Sequence, residues 1–301
     1  MRIKYPLPIL FAALLSTAAF ANPYETTLKN GLRIIVKEDH RAPTAVQMVW
    51  YRIGSIDEVD GHSGVAHVLE HMMFKGTPSV GPGEFNKRVA AAGGRDNAFT
   101  SRDYTAYFQQ VPKEKLDEMM ALEADRMRHL NVAPQEFAQE IKVVMEERRM
   151  RTDDNPQSKL FEQMNAVAFQ AHPYRRPIIG WMNDLETMTA ADAKAWYDTW
   201  YVPNNAYVVI TGDVDHMAVF AQAEKYYGPL EARPLPVRRQ QVEPRQEGPR
   251  CVTVKAPAEL PILIMGYKAP VIRDIERDSD PYALEMLASI LDGHDAARFN
   301  K

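Results

Sequence analysis

Apolar residues recur along this chain with two alternating periods. Leu32-Arg-Ile-Ile-Val-Lys37 and Ala45-Val-Gln-Met-Val-Trp-Tyr51 alternate or run apolar and predict strands. Val65, Val68, Leu69 and Met72 then fall at three- and four-residue intervals, one face of a half-buried helix stopped by Gly76 and Pro78. Phe99 to Val111 predicts one further strand, with Tyr104, Ala106 and Phe108 alternating. Helical periodicity returns over 113–130, 134–151 and 156–170, with Pro134 suited to a first turn. Thr189-Ala-Ala-Asp192 starts another helix in the manner of a capping box, with Asp in place of Glu. Tyr207–Thr211 predicts a strand, and Gly212-Asp213 turns into a helix reaching Tyr227. Residues 229–250 are rich in Pro, Arg, Gln and Glu without period and predict a linker. Beyond it, Cys251–Lys255 and Pro261–Lys268 predict strands and Pro281–Leu291 a helix. This strand–strand–helix order repeats the start of the first unit, so the pattern predicts an α+β fold. Its domains are 22–228 and an incomplete second unit at 251–301, joined by 229–250.

Residues 1–21 predict a cleaved signal peptide. Arg2 and Lys4 precede an apolar run from Ile9 to Phe20, and Ala19-Phe20-Ala21 is a cleavage box before Asn22. The run is short of the roughly 20 residues of a membrane span. No later apolar stretch is long enough to cross a bilayer. The formal charge of −4 becomes −6 without Arg2 and Lys4, which leaves no basic surplus for nucleic acid. The single cysteine, Cys251, excludes an internal disulfide and is expected to pack as a small apolar side chain.

The candidate chemistry sits on the first predicted helix, in GHSGVAHVLEHMMFKGTP. His67 and His71 are four residues apart and leave one face of the helix, with Glu70 on the same face. Two neutral imidazoles at this spacing can grip one divalent zinc, and a neighbouring carboxylate can accept a proton from water. A third ligand is needed. The helix from Pro134 offers Glu140, Glu146 and Glu147, and spacing alone does not choose among them.

Four segments in order, HVLEHMMFKGT, GGRDNAFTSRDYTAYF, EIKVVMEERR and HPYRRPIIG, resemble the M16 (pitrilysin-like) zinc peptidases. This family includes mitochondrial processing peptidase and insulin-degrading enzyme. The resemblance runs from about Tyr24 to the C-terminus. It implies a mostly antiparallel sheet packed with helices, the fold shared with LuxS, in two homologous halves of which the second is incomplete here. It implies one zinc per chain on His67, His71 and Glu147, with Glu70 as general base and Glu140 as a supporting catalytic carboxylate. It implies that Asn97, Ala98 and Phe99 open an edge strand that pairs with extended peptide substrate; from residues alone, Asn97 reads as a turn after two glycines. It implies an exported, periplasmic peptidase that pairs with itself or with a second M16-like subunit. The family's substrate-holding Arg and Tyr have no counterpart before Lys301, which reads as truncation. The rivals are a non-catalytic partner subunit and a LuxS-type lyase; the latter uses a cysteine ligand on a short cytosolic chain. His172-Pro-Tyr174 reads as a structural loop and His62 as a helix-start residue.

Overall fold

The computed structural model describes residues 23–300; the signal peptide and cleavage site predicted from the sequence lie outside the described residues. The chain divides into two compact units, one ending at Ala256 and one covering Pro257–Lys301.

In the first unit, β1 (Tyr24–Thr27), β2 (Arg33–Glu38) and β3 (Thr44–Tyr51) lead to α1 (Val65–Met72) and α2 (Glu84–Ala91). Strands β4 (Arg95–Thr100) and β5 (Thr105–Pro112) follow, then α3 (Leu116–His129), α4 (Pro134–Arg148) and α5 (Pro156–Ala168). Helices α6 (Met182–Thr187) and α7 (Ala190–Trp200), strand β6 (Ala206–Gly212) and helix α8 (His216–Tyr227) complete it. The sheet order is β1-β2-β6-β3-β5-β4. Only β2 and β6 pair in parallel; the other neighbours are antiparallel. The α+β, mostly antiparallel architecture is therefore present.

The single strand predicted from Phe99 to Val111 is two. Residues 101–104 form a tight turn in which the Ser101 amide donates to the Tyr104 carbonyl at 2.8 Å, and Thr100 comes opposite Thr105. A polar Ser-Arg-Asp run supplies the reversal. Strand β1 and helices α2 and α6 have no counterpart in the sequence reading.

One face of the sheet carries the core. Ala45, Val49 and Tyr51 of β3, with Val208 and Ile210 of β6, are buried beneath the helices. The alternate residues, including Met48, Trp50 and Tyr207, are only half-buried, so the helices cover one face and leave the other open. A polar cluster lies inside the core. Arg126 and Glu123 are fully buried as an ion pair, Gln109 donates to Glu123, and the Arg126 guanidinium stands 4.1–5.1 Å from the rings of Phe74, Phe85 and Tyr107. Removing either charge strands the other in apolar surroundings, a cost of about 3–5 kcal/mol.

Residues 231–250 hold no regular element, and neither do the segments Cys251–Lys255 and Pro261–Lys268, which the sequence pattern predicts as strands. An apolar alternation needs a neighbouring strand to become a ladder. Here none pairs with them, and Leu263, Met265 and Tyr267 stay exposed. Cys251 is likewise exposed instead of packed, because its segment joins no core. The second unit contains α9 (Asp280–Asp292), close to its predicted bounds.

Two glycines fix where α1 begins. Gly64 and Gly180 both adopt positive φ, +89° and +87°. Their backbones cross so closely that a Cβ on Gly180 would stand 2.4 Å from the Ser63 carbonyl oxygen. Gly61 has φ +89° with nothing within 4 Å of its would-be Cβ. Gly61→Ala should cost only the left-handed strain, about 1 kcal/mol. Gly180→Ala adds a backbone collision and should cost about 3 kcal/mol or more. Denaturant unfolding of the two variants checks the difference.

Candidate metal centre

Helices α1 and α4 pack together and bring three predicted residues to one point. His67 Nε2 lies 3.8 Å from Glu147 Oε1, and His71 Nε2 lies 3.4 Å from Glu147 Oε2. All three ligating atoms lie within 4.8 Å of one another. A tetrahedral ion with bonds of 2.0–2.2 Å holds its ligand atoms roughly 3.4 Å apart, so this donor set fits zinc. Of the three glutamates left open by spacing, Glu146 points away, 59% exposed and paired with Arg149. Glu140 reaches His71 from the other side, its Oε1 2.9 Å from Nδ1. With Nδ1 donating to that carboxylate, Nε2 carries the lone pair and faces Glu147. Lys75 pairs with the second oxygen of Glu140.

The protonation balance follows from these contacts. Burial, helped by the charges of His71 and Arg151, drives His67 down to about 3, so its ring is neutral as a ligand must be. Its Nδ1 is buried with no hydrogen-bond partner among the described residues, unlike that of His71. Burial also lowers His71, but the Glu140 hydrogen bond and the charges of Glu147, Glu140 and Glu70 outweigh it and its pKa rises. Burial raises Glu140, and its bonds to His71 and Lys75 bring it net below the usual range. Burial raises Glu70, and the hydroxyl of Thr100, donating to Glu70 Oε2, only partly offsets this.

Thr100 ends β4, an edge strand of the sheet. Asn97, Ala98 and Phe99 of that strand line the same cleft of about 630 Å³ as His67, Glu70 and Glu147. Asn97 is exposed, and its Oδ1 accepts from the Ala98 amide at 2.9 Å, so the asparagine sits within the strand instead of beginning a turn. His172 and Tyr174 have a structural part. The Tyr174 amide donates to His172 Nδ1, and the Tyr174 hydroxyl donates to Asp103 at 2.6 Å. His62 lies two residues before Gly64, its Nδ1 3.7 Å from Asp192.

Several residues that position the site escaped the sequence reading. Gly64 offers α1 no side-chain cap. The buried carboxyl group of Glu58 replaces it: Oε2 accepts from the Gly64 amide and Oε1 from the Ala66 amide, both at 3.0 Å. Asp184 accepts from the Ser63 amide and hydroxyl, and the Ser63 oxygen accepts from the Trp181 amide at 2.9 Å. At α4, Arg148 is buried directly after Glu147. It donates to the Gly180 carbonyl at 2.8 Å and holds Glu162 with two bonds of 2.8 and 3.0 Å. The start of α1 and the end of α4 are thus tied to the same loop. A π-turn over Arg149–Asp153 follows, and Arg151 pairs with Glu147. Nothing local in the sequence marks Glu58 or Arg148, because each works through a contact with a distant segment.

A second group, Glu38, Asp215 and His216, also converges. Its carboxylates already serve α8: Asp215 accepts from the Ala218 amide, and Glu38 from the His216 amide and ring.

Residues 33–181 match the insulinase (peptidase family M16) model, and residues 187–301 match the peptidase M16 inactive-domain model. The chain belongs to peptidase family M16. Zinc protease PqqE of Helicobacter pylori is 38% identical over 272 residues, 88% of this chain and 60% of that relative. The crystal structure of a protease from Helicobacter pylori superposes with a TM-score of 0.73 at 38% identity, over 75% of this chain and 55% of the other. The first half of the periplasmic protease PqqL from Escherichia coli gives 0.68 at 26% identity, over 74% and 49%. The chain therefore spans about 60% of the length of this M16 relative.

Glu58 sets a pH dependence of stability in this M16 unit. Burial raises it to about 8 from 4.5, against its two amide bonds and Arg176. Between those values the folded chain holds a proton that the unfolded chain has released. Stability from this group is therefore present below about 4.5 and is lost as pH rises through about 8. Glu58→Gln should remove that part of the decline. It should also lower stability by about 1–3 kcal/mol, since the NH2 group of an amide cannot accept the second N–H bond that the hydroxyl oxygen of the protonated acid can. Denaturation midpoints from pH 5 to 9 read both effects.

Proposed function

We propose that this chain is the catalytic part of a zinc-dependent endopeptidase acting on peptides or unfolded segments. The convergence of His67, His71 and Glu147 beside Glu70 in one cleft carries the reading. The M16 family match and the name of the Helicobacter pylori relative support it. His67, His71 and Glu147 would hold one zinc. When bound, zinc supplies Lewis-acid polarisation of a water and of the scissile carbonyl. Glu70 takes the proton of the attacking water and delivers it to the leaving amine. Its burial favours holding that proton between the two steps, and Thr100 aims its carboxylate. Glu140 fixes the tautomer of His71. The outer edge of β4 supplies main-chain hydrogen bonds to an extended substrate, with Asn97, Ala98 and Phe99 along the cleft. The working assembly includes a second M16-like half, from a copy of this chain or a related subunit.

Glu147→Gln should weaken zinc binding in elemental analysis. Full zinc in that variant, with loss in Glu140→Gln or Glu146→Gln, would reassign the third ligand. Glu70→Gln should keep zinc and lower peptide hydrolysis by about 10²–10⁴, while His71→Ala loses both. Hydrolysis unchanged in zinc-loaded Glu70→Gln would favour a non-catalytic partner subunit, with the cleavage due to a contaminating protease.

We further propose export to the periplasm with cleavage after Ala21, on the strength of the Ala19-Phe20-Ala21 box. Among the described residues no helix is long and apolar enough to cross a membrane. Intact mass of the secreted protein should give a chain beginning at Asn22; a chain beginning at Met1 would indicate an uncleaved anchor.

A further inference from the structure

The metal cleft is not the largest cavity of the first unit. A second, of about 1090 Å³, opens on the uncovered face of the sheet. Its floor is aromatic. Trp50 of β3, Tyr104 of the β4–β5 turn and Tyr207 of β6 line it, and the chain at 236–241 lies along its far side. Trp50 packs on Tyr104 with ring centroids 5.0 Å apart and on Phe99 at 5.5 Å. Phe99 lines the metal cleft, so this aromatic cluster runs from one cavity to the other. Arg175 and Arg176 line both cavities, and Arg102 of the cleft is followed directly by Asp103 of the second cavity.

The charges of the wall are unevenly satisfied. Asp57 is held by Arg238, Asp60 by Arg175 and Arg176, and Asp103 by the Tyr174 hydroxyl. Glu58 is spent on the helix start. Arg52 lies over the Tyr207 ring at 5.8 Å and, with Arg239, makes no ion pair among the described residues. The cavity thus offers an aromatic floor and two guanidinium groups without an ion pair among the described residues, with the Asp103 carboxylate, held by a hydroxyl alone, at the same wall.

We propose that this cavity is a substrate subsite, holding an aromatic side chain against Trp50 and Tyr104 and an adjacent acidic side chain against Arg52 and Arg239. The proposal rests on the peptide-hydrolysis reading and names a substrate feature for it. A peptide paired with β4 and continuing past Thr100 arrives at Asp103 and Tyr104. The anchored pair then lies on the peptide beyond the residues that flank the scissile bond. Selection there would act on a position that the metal cleft does not touch.

The test uses the zinc-loaded chain carrying Glu70→Gln, so that peptides are bound and not cut. Fluorescently labelled extended peptides, acetylated and amidated at their ends, carry Phe-Glu, Phe-Lys or Ala-Gln at successive positions. The Phe-Glu peptide should bind about tenfold more tightly than Ala-Gln at one narrow range of positions. Adding Tyr104→Ser should abolish that advantage and leave Ala-Gln binding as it was. Adding Arg52→Glu, an exposed rim position, should transfer the preference from Phe-Glu to Phe-Lys. Equal affinity for all three peptides, or equal loss for all three in both variants, overturns the subsite. Zinc analysis of the same preparations separates the claims. A chain that holds zinc and shows no preference overturns the subsite alone, whereas one that keeps the preference without binding zinc overturns the hydrolytic reading alone.

Discussion

Two imidazoles on one helix and a carboxylate on another reach a single ion only if α1 is held at one rotation and one height against α4. A rotation of one residue, about 100° of helix, would carry His67 and His71 out of the cleft together. The fold meets this constraint at the start of α1, where orphan amides give something to grip. Glu58 takes two of those amides, Asp184 takes Ser63, and the Gly64–Gly180 crossing leaves no room for slippage. Arg148 then ties the Gly180 carbonyl to the residue beside Glu147. The ligands are therefore referenced to a common loop.

The same packing separates the chemistry of neighbouring groups. His67 and His71 are one turn apart, yet burial holds the first neutral while Glu140 stabilises a proton on the second. Glu70 and Glu140 flank the same ring. Burial pushes Glu70 up against the bonds it accepts from Thr100; Glu140 is also buried, but a lysine and an imidazole pull it down. One carboxylate is suited to exchanging a proton and the other to orienting a ligand, and the difference lies in what surrounds each.

The open side of the sheet is a consequence of where the helices go. They bury one face of β3 and β6 and leave Met48, Trp50 and Tyr207 on the other. Strand β4 stays at an edge of the sheet, its second side unpaired among the described residues. A free edge and an uncovered aromatic face therefore lie next to a metal-fitting site.

By itself the sequence determined the elements with strong periods and the chemistry that local spacing imposes. The i, i+4 geometry of His67 and His71, with Glu70 between them, follows from 3.6 residues per turn and needs no tertiary information. The M16 family was legible in four ordered segments. The assignment of Glu147 came from that resemblance, because Glu140, Glu146 and Glu147 are equivalent carboxylates until α4 is set at an angle to α1. Tertiary structure alone decided that Glu140 meets the far nitrogen of His71, that Glu58 caps a helix six residues away, and that Arg148 links α4 to Gly180. Each of these is a contact between segments that do not predict one another. It also decided against strands at Cys251–Lys255 and Pro261–Lys268, since an alternating pattern states only what a strand would bury and cannot supply the neighbour that completes its hydrogen bonds.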